Sequence, residues 1–284
     1  GNGSSTSVVL SPDGQLVAFH SSATNLVPGD TNGVTDVFVR DLAAGTIERV
    51  SVGSDGTQGN GSSFADAMST DGRFVVMSSN ASNLVPGDTN VREDIFVRDR
   101  LTGTTSRVSV NSAGEQANGG SDSAAISGDG RHVVFESVAP NLVANDTNGQ
   151  NDIFIHDRTT GKTSLVSIDT GGAQASAGSF LPNISRDGLV VAFESPATNL
   201  VDGDTNARTD IFVRRLDAGI ITRESVDSNQ AEANGNSFRA SLAADGSVAV
   251  FESLASNLVE GDTNGTYDVF VREVTPPPTP TTDL

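Results

Sequence analysis

The chain contains no cysteine and no tryptophan, a single tyrosine (Tyr267) and a single lysine (Lys162). The missing cysteines fit any redox compartment and select none. The missing tryptophans remove the aromatic faces on which sugars stack, which counts against a lectin. With one lysine, the basic residues are almost all arginine, and the formal charge is −19. A phosphate backbone needs a basic footprint, so nucleic acid is not expected as a partner. Anionic lipid surfaces are disfavoured for the same reason. No stretch reaches the apolar length of a membrane span, so no membrane insertion is expected. No signal peptide is visible, and Gly1 reads as a trimmed or mature start. A Gly-x-Ser-x-Gly nucleophile elbow is also absent. His20, His132 and His156 share no register and read as ordinary surface or strand residues.

What is present is a repeat. Gly-Asp-Thr-Asn recurs with its Asp at Asp30, Asp88, Asp204 and Asp262, and Asn-Asp-Thr-Asn adds Asp146, at a constant step of 58 residues. Asn-Leu-Val keeps that step from Asn25 to Asn257, and the turn Asp-Gly keeps it from Asp13 to Asp245. The units are 1–58, 59–116, 117–174, 175–232 and 233–274, followed by a Pro/Thr-rich tail, 275–284.

Each unit holds four short apolar runs separated by turn residues. In the second unit they span 64–69, 74–78, 94–99 and 105–110, with Asp71-Gly72 and Thr102-Gly103 as tight turns. No helical period is present. Four antiparallel strands per unit and five units predict an all-β fold, a five-bladed β-propeller with four-stranded antiparallel blades; an open β-solenoid is the alternative. Phe38, Phe96, Phe154, Phe212 and Phe270 keep the 58-residue step and read as inter-blade core. The last unit runs from Val269 into Thr275-Pro276-Pro277-Pro278-Thr279-Pro280, a stiff linker composition where a fourth strand is expected. Either that blade has three strands, or the tail lies on its edge, or a preceding segment supplies the strand.

Ser11-Pro12-Asp13-Gly14 followed by Leu16-Val17-Ala18-Phe19 resembles the first strand pair of TolB-like, WD-repeat-like bacterial propellers. Asp36-Val37-Phe38-Val39-Arg40-Asp41 is similar to that family's third strand. The resemblance covers all five units and implies the fold; that fold hosts many functions.

The two long connections, 79–93 and 53–62 in and around the second unit, emerge on one side of a meander and the tight turns on the other. The loop-rich side is the candidate binding face. In its first loop, oxygen-bearing side chains recur at Asp30, Asn32, Asp36; Asp88, Asn90, Asp94; Asp146, Asn148, Asp152; Asp204, Asn206, Asp210; and Asp262, Asn264, Asp268. Such spacing lets a curled loop converge on one hard cation, and Ca²⁺ takes six to eight oxygens. The loop resembles the calcium loops of integrin-type propellers, Asp-x-Asp-x-Asp-Gly-x-x-Asp. The first position of that pattern is Pro28, Pro86 and Ala144 in three units, and acidic only as Asp202 and Glu260. Up to one Ca²⁺ per blade is the expectation, with Asn25, Asn83 and Asn141 as further donors. The competing reading is that Asp and Asn form Asx-turns on their own backbone. Glycine is replaced by Val91 and Ala207 in two copies, so the turn is not strictly glycine-dependent.

Glu136, Glu194 and Glu252 share a register, with His20 and Ser78 in the other two units. A catalytic acid and base should sit in unlike environments, so like copies read as bonds to a neighbouring blade. Gln58, Gln116, Gln174 and Glu232, beside Asn2, Asn60, Asn118 and Asn234, read as loop-internal hydrogen bonding or as a ring of amides for a polar ligand. The expectation is a calcium-stabilised, secreted or envelope-associated binding scaffold for a protein or glycan. A carbohydrate-active hydrolase is the alternative, and a lectin-like binder the second.

Overall fold

The computed structural model describes residues 1–274. The tail 275–284, including its expected place along the last blade, lies outside the described residues. Every regular element among the described residues is a strand. Blade 1 is β1 (Ser5–Leu10), β2 (Leu16–Ser21), β3 (Asp36–Asp41) and β4 (Ile47–Arg49). Blade 2 is β5 (Ser63–Met68), β6 (Phe74–Ser79), β7 (Asp94–Asp99) and β8 (Thr104–Arg107). Blade 3 is β9 (Ser121–Ile126), β10 (His132–Ser137), β11 (Asp152–Asp157) and β12 (Lys162–Leu165). Blade 4 is β13 (Phe180–Ile184), β14 (Val190–Ser195), β15 (Asp210–Arg215) and β16 (Ile220–Arg223). Blade 5 has three strands, β17 (Ser237–Leu242), β18 (Val248–Ser253) and β19 (Asp268–Glu273).

Each blade is an antiparallel meander in chain order. The first strands of successive blades contact one another, so they line the axis and the later strands fan outward. The fourth strands are shorter than the sequence suggests. In blade 2 the expected run 105–110 ends at Arg107, and Val110 pairs instead in an isolated bridge with Gln116. The chain there turns out of the blade to start the next connection.

In blades 1 to 4 the third strands read as continuous apolar runs because both of their faces are buried. Phe96 of β7 packs with Val37, Val39 and Val50 of blade 1. Its neighbours Ile95 and Val97 pack with Val133 and Phe135 of blade 3. Alternate side chains thus join opposite blades, the period-two rule applied across a ring. Phe19–Phe38, Phe135–Phe154, Phe193–Phe212 and Phe251–Phe270 stack in pairs 5.8–5.9 Å apart; Met77 replaces the first ring in blade 2. The four phenylalanines Phe38, Phe96, Phe154 and Phe212 are fully buried, as inter-blade core should be.

The Asp-Gly turns need glycine for two separable reasons. Gly14 and Gly130 both have positive φ, 68° and 74°. A Cβ on Gly14 would meet nothing within 4 Å, whereas one on Gly130 would lie 2.1 Å from the Phe74 ring of the preceding blade. Gly14→Ala should therefore cost about 1–2 kcal/mol, the left-handed backbone penalty alone. Gly130→Ala should cost about 1–3 kcal/mol more through overpacking. Urea unfolding of the two variants checks the order, and equal losses would show that the turns of neighbouring blades are not in tight contact.

Candidate loop-face site

The long loop of each blade ends at the first residue of the third strand. Asp36, Asp94, Asp152 and Asp210 occupy that place and are completely buried. Asp36 Oδ1 accepts the Ser51 hydroxyl at 2.5 Å, and its Oδ2 accepts the Asn32 amide at 2.9 Å. Ser51 Oγ in turn accepts the Val37 N–H at 3.1 Å. Asn32 also donates to the Gly59 carbonyl, and its own oxygen accepts the Val34 N–H, an Asx-turn. The knot recurs around Asp94 with Ser109 and Asn90, Asp152 with Ser167 and Asn148, and Asp210 with Ser225 and Asn206. In blade 5 the Asn264–Asp268 bond persists. Burial raises the carboxyl pKa of all four buried aspartates, against the lowering effect of the serine bond.

Asp30, Asp88 and Asp204 approach these knots through an arginine. Arg49 Nη1 lies 3.1 Å from Asp30 and 3.5 Å from Asp36. Arg107 Nη1 lies 3.3 Å from Asp88 and 3.6 Å from Asp94. Arg223 Nη1 lies 3.1 Å from Asp204, 3.8 Å from Asp210 and 3.1 Å from Glu232. Burial, then the neighbouring Asp210 carboxylate, raises Asp204 to about 6, with Arg223 opposing. Strand register explains the contact: Arg49 faces Phe38 across β3 and β4, and Asp36 is two residues from Phe38 on the same face.

Sequence reasoning missed these arginines, although Arg49, Arg107 and Arg223 share one register. In blades 1, 2 and 4 the guanidinium lies within salt-bridge distance of both loop aspartates and supplies a positive charge there. Blade 3 differs. Leu165 stands in the arginine's register position, and Asp146 accepts the Gln174 amide at 3.2 Å. In blade 5, Glu260, Asp262, Asn264 and Asp268 line an open groove with no arginine among the described residues. Asp202 is not bonded to Asp204, Asn206 or Asp210; it lies on a cleft rim between blades 3 and 4. No cluster of three or more His, Asp and Glu suited to a metal occurs among the described residues.

The glycine position of the loop is left-handed even where glycine is absent. Val91 has φ 55° and Ala207 φ 51°, close to Gly33 at 70°. Val91 is 91% exposed, so no packing compensates its strain. The Asx bond from Arg92 N–H to Asn90 Oδ1, 3.0 Å, holds the turn.

The loop-face amides bond within the loops. Gln58 bonds both the backbone N–H and the hydroxyl of Thr31. Asn60 bonds Ser82 in both directions, and its N–H donates to Asn83 Oδ1. Asn25 Oδ1 and Asn141 Oδ1 likewise accept N–H groups, from Asn2 and Asn118. One cleft on this face is repeated between blades. Loop 53–55 and loop 82–87 line 410 Å³ between blades 1 and 2. Equivalent residues line 430 Å³ between blades 2 and 3 and 290 Å³ between blades 3 and 4.

The glutamates join blades. Glu136 Oε2 accepts the Leu181 N–H at 2.8 Å, and Glu194 Oε2 the Arg239 N–H at 2.8 Å. Leu181 and Arg239 sit in a bulge of the next first strand with φ 49° and 55°. Glu136 faces Asp122 across β9 and β10. Burial and that carboxyl neighbour push Glu136 up to about 8.

Two measurements follow from these geometries. Val91→Gly should stabilise the protein by about 1 kcal/mol, by relieving the left-handed valine; an unchanged urea midpoint would refute the strain. Glu136 has a folded pKa above its unfolded value of 4.5. Its contribution is complete below that value and is lost as pH rises through about 8. The melting temperature should therefore fall from pH 6.5 to pH 9, and less steeply in Glu136→Gln. A rise, or an identical slope in the variant, would contradict the assignment.

No protein-family model matches the chain, and no curated protein matches it. Among solved structures it is similar to TolB from Acinetobacter baumannii, at 16% identity and a TM-score of 0.51, over 90% of this chain and 53% of that one. The chain thus spans about half the length of that protein. It is similar to a TolB from Agrobacterium tumefaciens at 16% identity and a TM-score of 0.50, over 94% of this chain and 73% of that one. It also matches the β-propeller domain of the Trilobed protease from Pyrococcus furiosus, a propeller of open velcro topology. That match has 11% identity and a TM-score of 0.56, over 95% of this chain and 68% of that one. These likenesses show that the chain has the fold of a β-propeller.

Proposed function

We propose that the protein is a non-enzymatic binding scaffold that presents its loop face to a polar partner, a protein or a glycan. The repetition of one cleft at three blade junctions, in one register, carries this reading. Loops held by a rigid scaffold are where binding sites concentrate. The hydrolase alternative has less support, because Glu136 and Glu194 bond backbone N–H groups of the next blade. The acidic charge and the Pro/Thr run favour a secreted or envelope-associated protein. A panel of glycan and ester substrates should show no turnover by the parent protein. Turnover that disappears in Glu136→Gln or Glu194→Gln, with the fold intact, would overturn the scaffold reading.

Calcium belongs to this proposal in a restricted form. In blade 3 the Asp146 carboxylate acts electrostatically on Asp152, with Leu165 in the arginine's register position, and in blade 5 Glu260, Asp262 and Asp268 line an open groove. Those two loops are the ones we assign to Ca²⁺, with Asn148 and Asn264 beside them. Binding to the folded state alone stabilises by RT ln(1 + [L]/Kd), about 2.7 kcal/mol at a hundredfold excess. Calorimetric titration of chelator-stripped protein should give about two sites per chain, not five. Leu165→Arg should remove one of them by installing the cation that blades 1, 2 and 4 already hold. Absence of any calcium heat or thermal shift in the parent would sink the proposal, and five sites would show that the arginines are displaced.

A further inference from the structure

One position of the third strand holds Arg98, Arg214 and Arg272 in blades 2, 4 and 5, and His156 in blade 3. Each of these arginines reaches back into the preceding blade. Arg98 Nη1 donates to the Gly53 carbonyl at 3.2 Å. Arg214 Nη1 donates to the Ile168 and Asp169 carbonyls at 2.7 and 3.3 Å, and Arg272 Nη1 to the Asp227 carbonyl at 3.3 Å. Gly53 and Asp169 line the clefts between blades 1 and 2 and between blades 3 and 4. The arginine thus sets a positive charge behind the wall of each of those two clefts.

The cleft between blades 2 and 3 differs in two ways. His156 Nδ1 lies 2.9 Å from Thr163 Oγ1, and the Thr163 hydroxyl donates to the Val110 carbonyl. A hydroxyl whose one proton is so used can only accept from the ring, so Nδ1 carries the imidazole proton and the ring stops at Thr163. Burial, and then Arg158, lowers the His156 pKa from 6.5, with Asp157 opposing, so the ring is uncharged at neutral pH. Asn111, the counterpart of Gly53 and Asp169, lines this cleft with no guanidinium behind it. A carboxylate is also added. Glu115 stands where the other loops have Thr57, Ala173 and Ala231, and its Oε2 accepts the Asn111 amide at 2.7 Å. The cleft between blades 3 and 4 has acids too, Asp169 and Asp202, but there Arg214 acts electrostatically with Asp169.

We infer that the cleft between blades 2 and 3 binds an arginine side chain of a partner protein, its guanidinium set between the Glu115 carboxylate and the Asn111 carbonyl. This rests on the scaffold reading and narrows the partner to a protein with an exposed arginine. The repeat supplies the chemical precedent, because loop carbonyls of this region take a guanidinium from within the chain at the other three junctions. A planar fork of donors suits a carboxylate and a carbonyl together. Val143 on the cleft wall offers apolar surface to the arginine stem. A formal charge of −19 draws a cationic partner to the surface.

The probe is an end-blocked Gly-Gly-Arg-Gly-Gly peptide, with citrulline in place of arginine as the neutral control. Each is titrated into the intact chain at neutral pH and low salt, and binding is read from amide NMR shifts. The arginine peptide should bind at least about tenfold tighter than the control, because citrulline forfeits the charge-assisted bonds. The shifts should centre on Asn111, Ser112 and Thr163. His156→Arg installs the residue that this position carries in blades 2, 4 and 5, so the melting temperature should be kept. Its added positive charge should weaken the arginine peptide at least about tenfold. Glu115→Gln changes an exposed side chain and should weaken it about two- to fivefold. Equal affinity for the two peptides, no binding of either, shifts centred elsewhere, or an affinity that survives His156→Arg would each overturn the assignment. None of these results touches the scaffold reading, which falls on the turnover test instead.

Discussion

The long loop of each of the first four blades hangs on one buried carboxylate. Asp36, Asp94, Asp152 and Asp210 open the third strands, and each binds a serine from beyond the fourth strand and an asparagine from the long loop. Three chain segments thereby meet at one atom pair that water does not reach. A buried charge must be paired and hydrogen-bonded or it becomes neutral. The knot satisfies the second condition everywhere, and the arginine satisfies the first in blades 1, 2 and 4. Blade 3 keeps the bonds and lacks the guanidinium, which makes its electrostatics unlike those of its neighbours.

Blade-to-blade order rests on a second device with its own strain. The first strands bulge, and Leu181 and Arg239 are forced into left-handed backbone. The bulge aims an N–H at the preceding blade, where a glutamate accepts it. Burying that glutamate beside Asp122 costs ionisation free energy, which shows in the raised pKa of Glu136. In blade 2 the bulge lacks the left-handed residue, and the acceptor is replaced by His20 Nδ1, 3.3 Å from the Ala65 N–H. The device is thus graded along the row while the apolar inter-blade layers stay constant.

Much of the candidate site was legible in the sequence as segments, and little of it as contacts. The 58-residue step marked Asp30, Asn32 and Asp36 as one loop, and the loop holds them together. The Gln58 and Asn60 positions suggest loop-internal bonding or a ligand ring, and their bonds to Thr31 and Ser82 are the loop-internal kind. The glutamates of one register suggest inter-blade bonds, and Glu136 and Glu194 make them. Arg49 escaped notice because it lies 13 residues beyond Asp36, outside the loop motif, and because Leu165 interrupts its register.

The sequence by itself determined the number of blades, the strand order within them and the turns, because these depend on local pattern. Apolar runs of four residues, Asp-Gly pairs and a constant step act over a few residues each. Only the tertiary structure decided which charge answers each aspartate and which faces remain open. The strand register that sets Arg49 opposite Phe38 brings a guanidinium to Asp30 and Asp36, and no spacing rule within the loop encodes that approach. The exposure of Val8 and Val271 is likewise a matter of the tertiary structure, although their residue types are those of a buried core. Coulomb and packing energies depend on distance in space, and distance in space is what a one-dimensional repeat leaves unspecified.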